Sequence, residues 1–189
     1  MRRRTGLTVI AGPMFAGKTT RLISEMQMVA ARGASQILFR SSIDSRYSTT
    51  DVVSHDGLRM RAATLPEGPD GLRALAFAAK NYNMIGIDEG QFWESTDGFS
   101  EAVIGISARA RVYVATLDID SIGKPFRVFS ELLPRADSII LLKSKCAKCG
   151  KDAAFSQRLV NGTEDFSNGF MVGAAGLYEP RCGMHFIAP

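Results

Sequence analysis

The sequence predicts an α/β fold, a mainly parallel sheet with helices on both faces over residues 1–142, followed by a small irregular lobe over 143–189. Three observations predict it. Short apolar, β-prone runs alternate with stretches of helical period, the pattern of successive βαβ units. The first apolar run ends in a glycine loop that opens directly into a helical stretch. After Lys143 the texture changes, and all three cysteines of the chain lie beyond it. A chain of 189 residues is long enough for one domain with a core of its own and a small appended lobe.

Leu7 to Ala11 is the first strand, ended by Gly12-Pro13. From Gly17 onward Leu22, Ile23, Met26, Val29 and Ala30 fall on one helical face, and Gly33 supplies the stop. Gln36 to Arg40 is a second strand, and the alanine- and leucine-rich stretch Gly71 to Lys80 a second helix. Between them, residues 41–68 are rich in Ser, Thr, Asp and Arg with little period, which reads as a long functional loop or a weak hairpin. Met84 to Asp88 is a buried strand, Ser95 to Ala108 a helix, and Arg111 to Thr116 and Ser138 to Leu142 two further strands. In the lobe, Asn161-Gly162 between β-prone runs marks a hairpin turn. There is no internal repeat and no low-complexity tract.

Composition excludes several classes. Hydrophobic residues make up 46% and charged residues 22%, ordinary for a globular domain, and no apolar run nears the roughly 18 residues of a membrane span. The basic Met1 to Thr5 is followed by too short an apolar segment for a secretory signal, so a cytoplasmic protein is expected. Of the positive charges behind the net +4, three are the run Arg2, Arg3 and Arg4, and no aromatic-interleaved basic patch accompanies them. An odd number of cysteines in a reducing compartment does not suit a disulfide framework.

Gly12-Pro13-Met14-Phe15-Ala16-Gly17-Lys18-Thr19 matches G-x-x-x-x-G-K-S/T, and it stands between a strand and a helix as the mechanism of such a loop requires. Its glycines let backbone N–H groups approach phosphate oxygens, and the helix that follows favours the anion. Lys18 is expected to reach the β- and γ-phosphates of ATP, Thr19 to offer a hydroxyl to magnesium, and Thr20 to flank the nucleotide. The complementary acids are Asp88, the magnesium partner at the strand end, and Glu89 one residue beyond, where a carboxylate can take a proton from an acceptor hydroxyl.

Cys146-Ala147-Lys148-Cys149 is a C-x-x-C knuckle, and Cys182-Gly183-Met184-His185 is a C-x-x-H. Together they use every cysteine and one of the two histidines, and they read as a four-ligand structural zinc site. A redox reading of C-x-x-C leaves the C-x-x-H without a role. His55, outside the set, is an ordinary loop histidine or a substrate-side group.

The order of these motifs resembles the zinc-containing (type II) thymidine kinases, a family with a RecA-like phosphate-loop domain and a C-terminal lasso lobe. The loop is similar to that family's G-P-M-F-S-G-K-S/T, and Ile87-Asp88-Glu89-Gly90-Gln91-Phe92-Trp93 to its D-E-A/G-Q-F segment. Asp44-Ser45-Arg46-Tyr47, Ser54-His55-Asp56, Leu117-Asp118, Gly123-Lys124-Pro125-Phe126 and Tyr178-Glu179-Pro180-Arg181 complete the likeness, which runs almost end to end. The resemblance implies transfer of the γ-phosphate of ATP to the 5′-hydroxyl of thymidine or a deoxyuridine, a step of nucleotide salvage for DNA synthesis. It implies Glu89 as catalytic base and Lys18, Asp44 and Arg46 beside the transferring phosphate, with Arg158 a weaker candidate there. Met14, Gln91, Phe92, Leu117, Met171, Val172, Gly173 and Tyr178 would hold the nucleoside. A homotetramer inhibited by the final triphosphate is implied as well.

The chain departs from the family at two points. Ser121 stands where an aromatic usually walls the base, and Ala174-Ala175 follow Gly173 where glycines are usual. Losing one stacking ring costs on the order of 1 kcal/mol, enough to admit a modified pyrimidine but not to abolish the reaction. Two alternatives therefore stand beside thymidine kinase: a kinase for a different or modified deoxynucleoside, and, more remotely, a zinc-ribbon ATP-binding protein acting on nucleic acid.

Overall fold

The apolar runs form one six-stranded parallel sheet in the computed structural model, which describes residues 5–43, 51–54, 56–167 and 176–189. In chain order the first part holds β1 (Gly6–Ala11), α1 (Lys18–Ala30), β2 (Gln36–Ser41), a hairpin of β3 (Asp51–Val53) and β4 (Arg59–Arg61), β5 (Ala63–Leu65) and α2 (Gly68–Asn81). It continues with β6 (Met84–Ile87), a 3-10 turn over Gly90–Trp93, α3 (Phe99–Ser107), β7 (Arg111–Thr116), α4 (Arg127–Leu132) and β8 (Ser138–Leu141). The sheet order is β5-β2-β6-β7-β1-β8, with every neighbouring pair parallel.

Strand alternation divides the core between the two faces. Leu22, Ile23 and Met26 of α1 pack with Ile10, Leu38, Met84 and Tyr113 on one side. On the other, Leu75 and Ala78 of α2, Val103 of α3, and Val128 and Leu132 of α4 cover Leu7, Val9, Ile85, Ile87, Val112 and Val114. Helices on both faces are thus as the sequence predicts. The order puts β7 between β6 and β1, so the tips of the strands bearing the phosphate loop, Asp88 and Leu117 stand side by side.

Three elements differ from expectation. Residues 41–68, read as a long loop or a weak hairpin, contain the hairpin of β3 and β4 but also β5, a three-residue edge strand too short to carry a period of its own. The helix expected from Ser95 starts only at Phe99, because Gly98 takes a left-handed φ of 78° that interrupts the run. The six-residue α4 was not anticipated at all.

The lobe comprises a ribbon of β9 (Ser144–Lys145) with β10 (Asp152–Ala153), and a three-stranded antiparallel sheet of β11 (Phe155–Val160), β12 (Thr163–Glu164) and β13 (Tyr178–Arg181). Asn161 and Gly162, with φ of 52° and 79°, make the predicted turn. Phe155 and Phe186 stack at 4.3 Å and fasten the last residues onto β11.

Candidate active site

The phosphate loop fills the gap between β1 and α1, and its backbone explains its glycines. Gly12 has φ 150°, and a Cβ there would stand 2.4 Å from the Leu142 carbonyl oxygen, so only glycine allows the loop to pass the end of β8. Phe15, at φ 62°, and Gly17, at φ 77°, carry the left-handed turn that leads into α1. Lys18 Nζ lies over the loop and donates to the Pro13 carbonyl at 2.7 Å.

Thr19 Oγ1 lies 3.2 and 3.0 Å from the two Asp88 carboxylate oxygens, so the hydroxyl and the acid face one point at the tip of β6. Asp88 is buried, and burial, with the Glu89 charge next, pushes its carboxyl up to about 7 against the Thr19 hydrogen bond and the Lys18 charge. A hydroxyl and a buried carboxylate converging on one point are the oxygen donors that a divalent cation takes.

Glu89 follows at φ 54° and ψ 50°, a left-handed conformation uncommon for a non-glycine residue and typical of functional sites. The next residue must be small. A Cβ on Gly90 would lie 2.9 Å from Val114 Cγ1 and 3.1 Å from Thr116 Cβ, so glycine seats the 3-10 turn against β7. Gln91 is then buried with its amide engaged at both ends. Nε2 donates to Glu89 Oε2 at 2.6 Å, and Oε1 accepts the Leu117 N–H at 3.1 Å.

Beside these groups lies a cavity of about 220 Å³, whose wall includes Met14, Leu117, Ile119, Ser121, Phe126 and Tyr178, with Glu94, Ser156 and Ser167 adding polar groups. Met14 belongs to both places, since it is part of the phosphate loop and lines the cavity. Its N–H donates to Ser156 Oγ at 2.8 Å, and Ser144 Oγ donates to the Phe15 carbonyl at 3.3 Å, tying the loop to the lobe.

In the lobe, one donor atom from each of Cys146, Cys149, Cys182 and His185 lies within 4.8 Å of all the others. Zinc bonds of about 2.3 Å to sulfur and about 2.0 Å to nitrogen in a tetrahedron put neighbouring donors ~3.5–3.8 Å apart. Cys149 and Cys182 sulfurs are 3.7 Å apart, and His185 Nδ1 is 3.7 Å from Cys146 Sγ and 3.3 Å from Cys182 Sγ. Burial opposes the Cys146 thiolate, but N–H groups of Cys182, Lys148 and Cys149 outweigh it and bring this thiol down to about 6. The donor set fits zinc.

The profile of the thymidine kinase family matches residues 5–186. The chain belongs to the thymidine kinase family. It is 42% identical to a thymidine kinase of Thermococcus kodakarensis over 97% of this chain and 94% of that protein. It is 35% identical to one of Pyrobaculum aerophilum over 97% of this chain and 99% of the other. A genome packaging NTPase of Sulfolobus turreted icosahedral virus 2, solved with ATP-gammaS, superposes with a TM-score of 0.50 at 17% identity, covering 78% of this chain and 79% of that one. That likeness is one of fold alone.

For a thymidine kinase family chain, the expected residues distribute as follows. Lys18, Thr19, Asp88 and Glu89 gather at the tips of β1 and β6, and Met14, Leu117 and Tyr178 line the cavity. Phe92, expected in that wall, is buried with Trp93 in the core cluster on the α2 and α3 face of the sheet. Gln91, expected on the nucleoside, holds Glu89 and Leu117. Arg158, expected near phosphate, is 1% exposed and paired with Asp165 at 2.7 Å, with Ser167 Oγ accepting at 2.6 Å. Asp44, Arg46, His55, Met171, Val172, Gly173, Ala174 and Ala175 lie outside the described residues.

Sequence reasoning gave no role to Ile119, Phe126, Glu94 or Ser156. The Gly123 to Phe126 motif was the available signal. Asp118, part of the Leu117-Asp118 motif, stands just beyond β7; burial raises its pKa, and the Lys18 charge is among the groups opposing that.

Proposed function

We propose that this chain transfers the γ-phosphate of ATP to the 5′-hydroxyl of thymidine, or of a closely related deoxyuridine, giving the 5′-monophosphate and ADP. The observation that carries the reading is Met14, shared by the phosphate loop and the cavity, because donor and acceptor sites must meet for in-line transfer. The loop from Gly12 to Thr19, with Thr20, would bind the triphosphate, Lys18 drawing charge from its outer oxygens. Thr19 and Asp88 would hold the magnesium ion that accompanies ATP and offsets phosphate charge. Glu89 would accept the proton of the 5′-hydroxyl as its oxygen bonds to the γ-phosphorus and the bridging bond to ADP breaks. Leu117, Phe126 and Tyr178 would clasp the base, with Asp44 and Arg46 on the phosphate side and residues 171–173 on the base.

Zinc held by Cys146, Cys149, Cys182 and His185 would be structural, since four protein ligands leave no open position for chemistry. A division at 142/143 would put the ATP motif on one side and this clamp on the other, with Ser144 and Ser156 reaching back to the loop. A homo-oligomer, a tetramer by family resemblance, is supported by β8: it ends the sheet with Ile139 43% and Leu141 62% exposed, an apolar edge that a second copy can cover. Among the described residues no helix is long and apolar enough to cross a membrane. A cytoplasmic site of action suits free cysteines and an ATP-dependent reaction.

A second reading, a kinase for a different or 5-modified deoxynucleoside, is favoured by Ser121, a small polar side chain in the cavity wall. A coupled ADP-release assay over a panel of nucleosides tests both. Thymidine-dependent turnover is expected; none at any thymidine concentration overturns the specific claim, and turnover confined to another nucleoside establishes the second reading.

A further inference from the structure

Phe126 lines the cavity from a loop that needs fastening. The segment from Asp118 to Phe126 closes on itself: Asp120 N–H donates to the Lys124 carbonyl at 2.8 Å, Asp120 Oδ1 accepts the N–H groups of Ile122 and Lys124, and Phe126 N–H donates to the Asp118 carbonyl at 3.0 Å. Those bonds shape the loop without fixing where it sits. The fastening comes from Glu94. Its Oε1 accepts the Arg127 N–H at 2.6 Å and its Oε2 the Val128 N–H at 3.2 Å. These are the first N–H groups of α4, which has no side-chain cap of its own from Phe126. In return Arg127 Nε donates to the Glu94 carbonyl at 3.0 Å, a contact that Arg127 Nη2 shares.

We propose that Glu94, locked in this reciprocal clamp with Arg127, is a positioning residue for the nucleoside: it holds Phe126 at a fixed distance from the turn that carries Glu89. The inference rests on the kinase reading of the same cavity. Glu94 closes the Gly90–Trp93 turn that Glu89 opens, so one carboxylate joins the segment bearing the base to the segment bearing the wall. Charge-assisted bonds to N–H groups are the strong kind, and both oxygens are used. Trp93, beside Glu94, is itself immobilised by stacking on Phe99 at 5.1 Å, which gives the clamp a rigid anchor. Glu94, Phe126 and Arg127 lie outside the phosphate loop, and Glu94 and Phe126 line the cavity, so loosening the clamp is expected to act on the nucleoside rather than on ATP.

Steady-state kinetics of Glu94→Ala, Phe126→Ala and the double variant test it. Removing two backbone bonds to a carboxylate is expected to raise the thymidine KM about tenfold in Glu94→Ala, with the ATP KM unchanged. In the Phe126→Ala background the same change is expected to add little, because the clamp acts through that ring. Arg127→Gln, a milder change, is expected to raise the thymidine KM about threefold and serves if Glu94→Ala does not fold. An unchanged thymidine KM with a lowered melting temperature, an equal rise in both KM values, or full additivity with Phe126→Ala overturns the proposal. Thymidine turnover by the wild type, run alongside, tests the kinase reading independently.

Discussion

Replacing Gln91 by Leu keeps nearly the same volume and removes only the amide. Two firm hydrogen bonds disappear, the 2.6 Å bond to Glu89 and the 3.1 Å bond from the Leu117 N–H. The Thr116 hydroxyl, 3.4 Å away, has its own carbonyl acceptor at 3.1 Å and loses little. The buried Leu117 N–H left without a partner costs about 1–3 kcal/mol, whereas half-buried Glu89 recovers part of its loss from water. A net destabilisation of about 2 kcal/mol follows, which for a chain of this size is a fall of about 4–8 °C in melting temperature. Activity should suffer in a particular way. Glu89 loses the group that orients it, and misplacement of a reacting group by an ångström costs up to about 10²-fold, so kcat is expected to fall about 10- to 100-fold with the ATP KM unchanged. Differential scanning fluorimetry and steady-state ADP release measure the two effects. A kcat within about twofold of wild type refutes the orienting role, and a raised thymidine KM with unchanged kcat shows that the amide grips the nucleoside instead.

Further perturbations read other parts of the site. Glu89→Gln is expected to lower kcat by about 10²–10⁴ while ATP still binds, measured by equilibrium titration beside turnover. Gly12→Ala should abolish ATP binding, because its methyl would meet the Leu142 carbonyl at 2.4 Å; calorimetric titration with ATP checks it. Cys146→Ser is expected to strip the lobe of metal, and metal analysis of the purified variant that still finds one zinc per chain contradicts the ligand set.

Much of this was legible because it is local. The phosphate loop, Asp88 with Glu89, and the paired C-x-x-C and C-x-x-H are short motifs whose chemistry is written in adjacent residues. What escaped depends on which strand lies beside which. Gln91 looks like a nucleoside contact until β7 is placed next to β6, when Leu117 is found within reach of its amide. Phe92 reads as a wall of the base pocket, yet Gly90 lets the turn sink against Val114, and Phe92 is buried with Trp93 in the core. Residues Arg127 to Leu132 are too few to display a helical period, so α4 was invisible, and with it the partner of Glu94.

Sequence divides this chain at 142/143, but the covalent boundary is a poor place to cut it. The loop that would receive ATP leans on both sides of that line: Gly12 against Leu142, Phe15 on Ser144, Met14 on Ser156. A truncation ending at Leu142 would keep the whole ATP motif but discard the bonds that Ser144 and Ser156 make to its backbone. Chimeras that exchange the lobe between relatives must therefore carry those serines with it, and the nucleotide half is not a freely transplantable cassette.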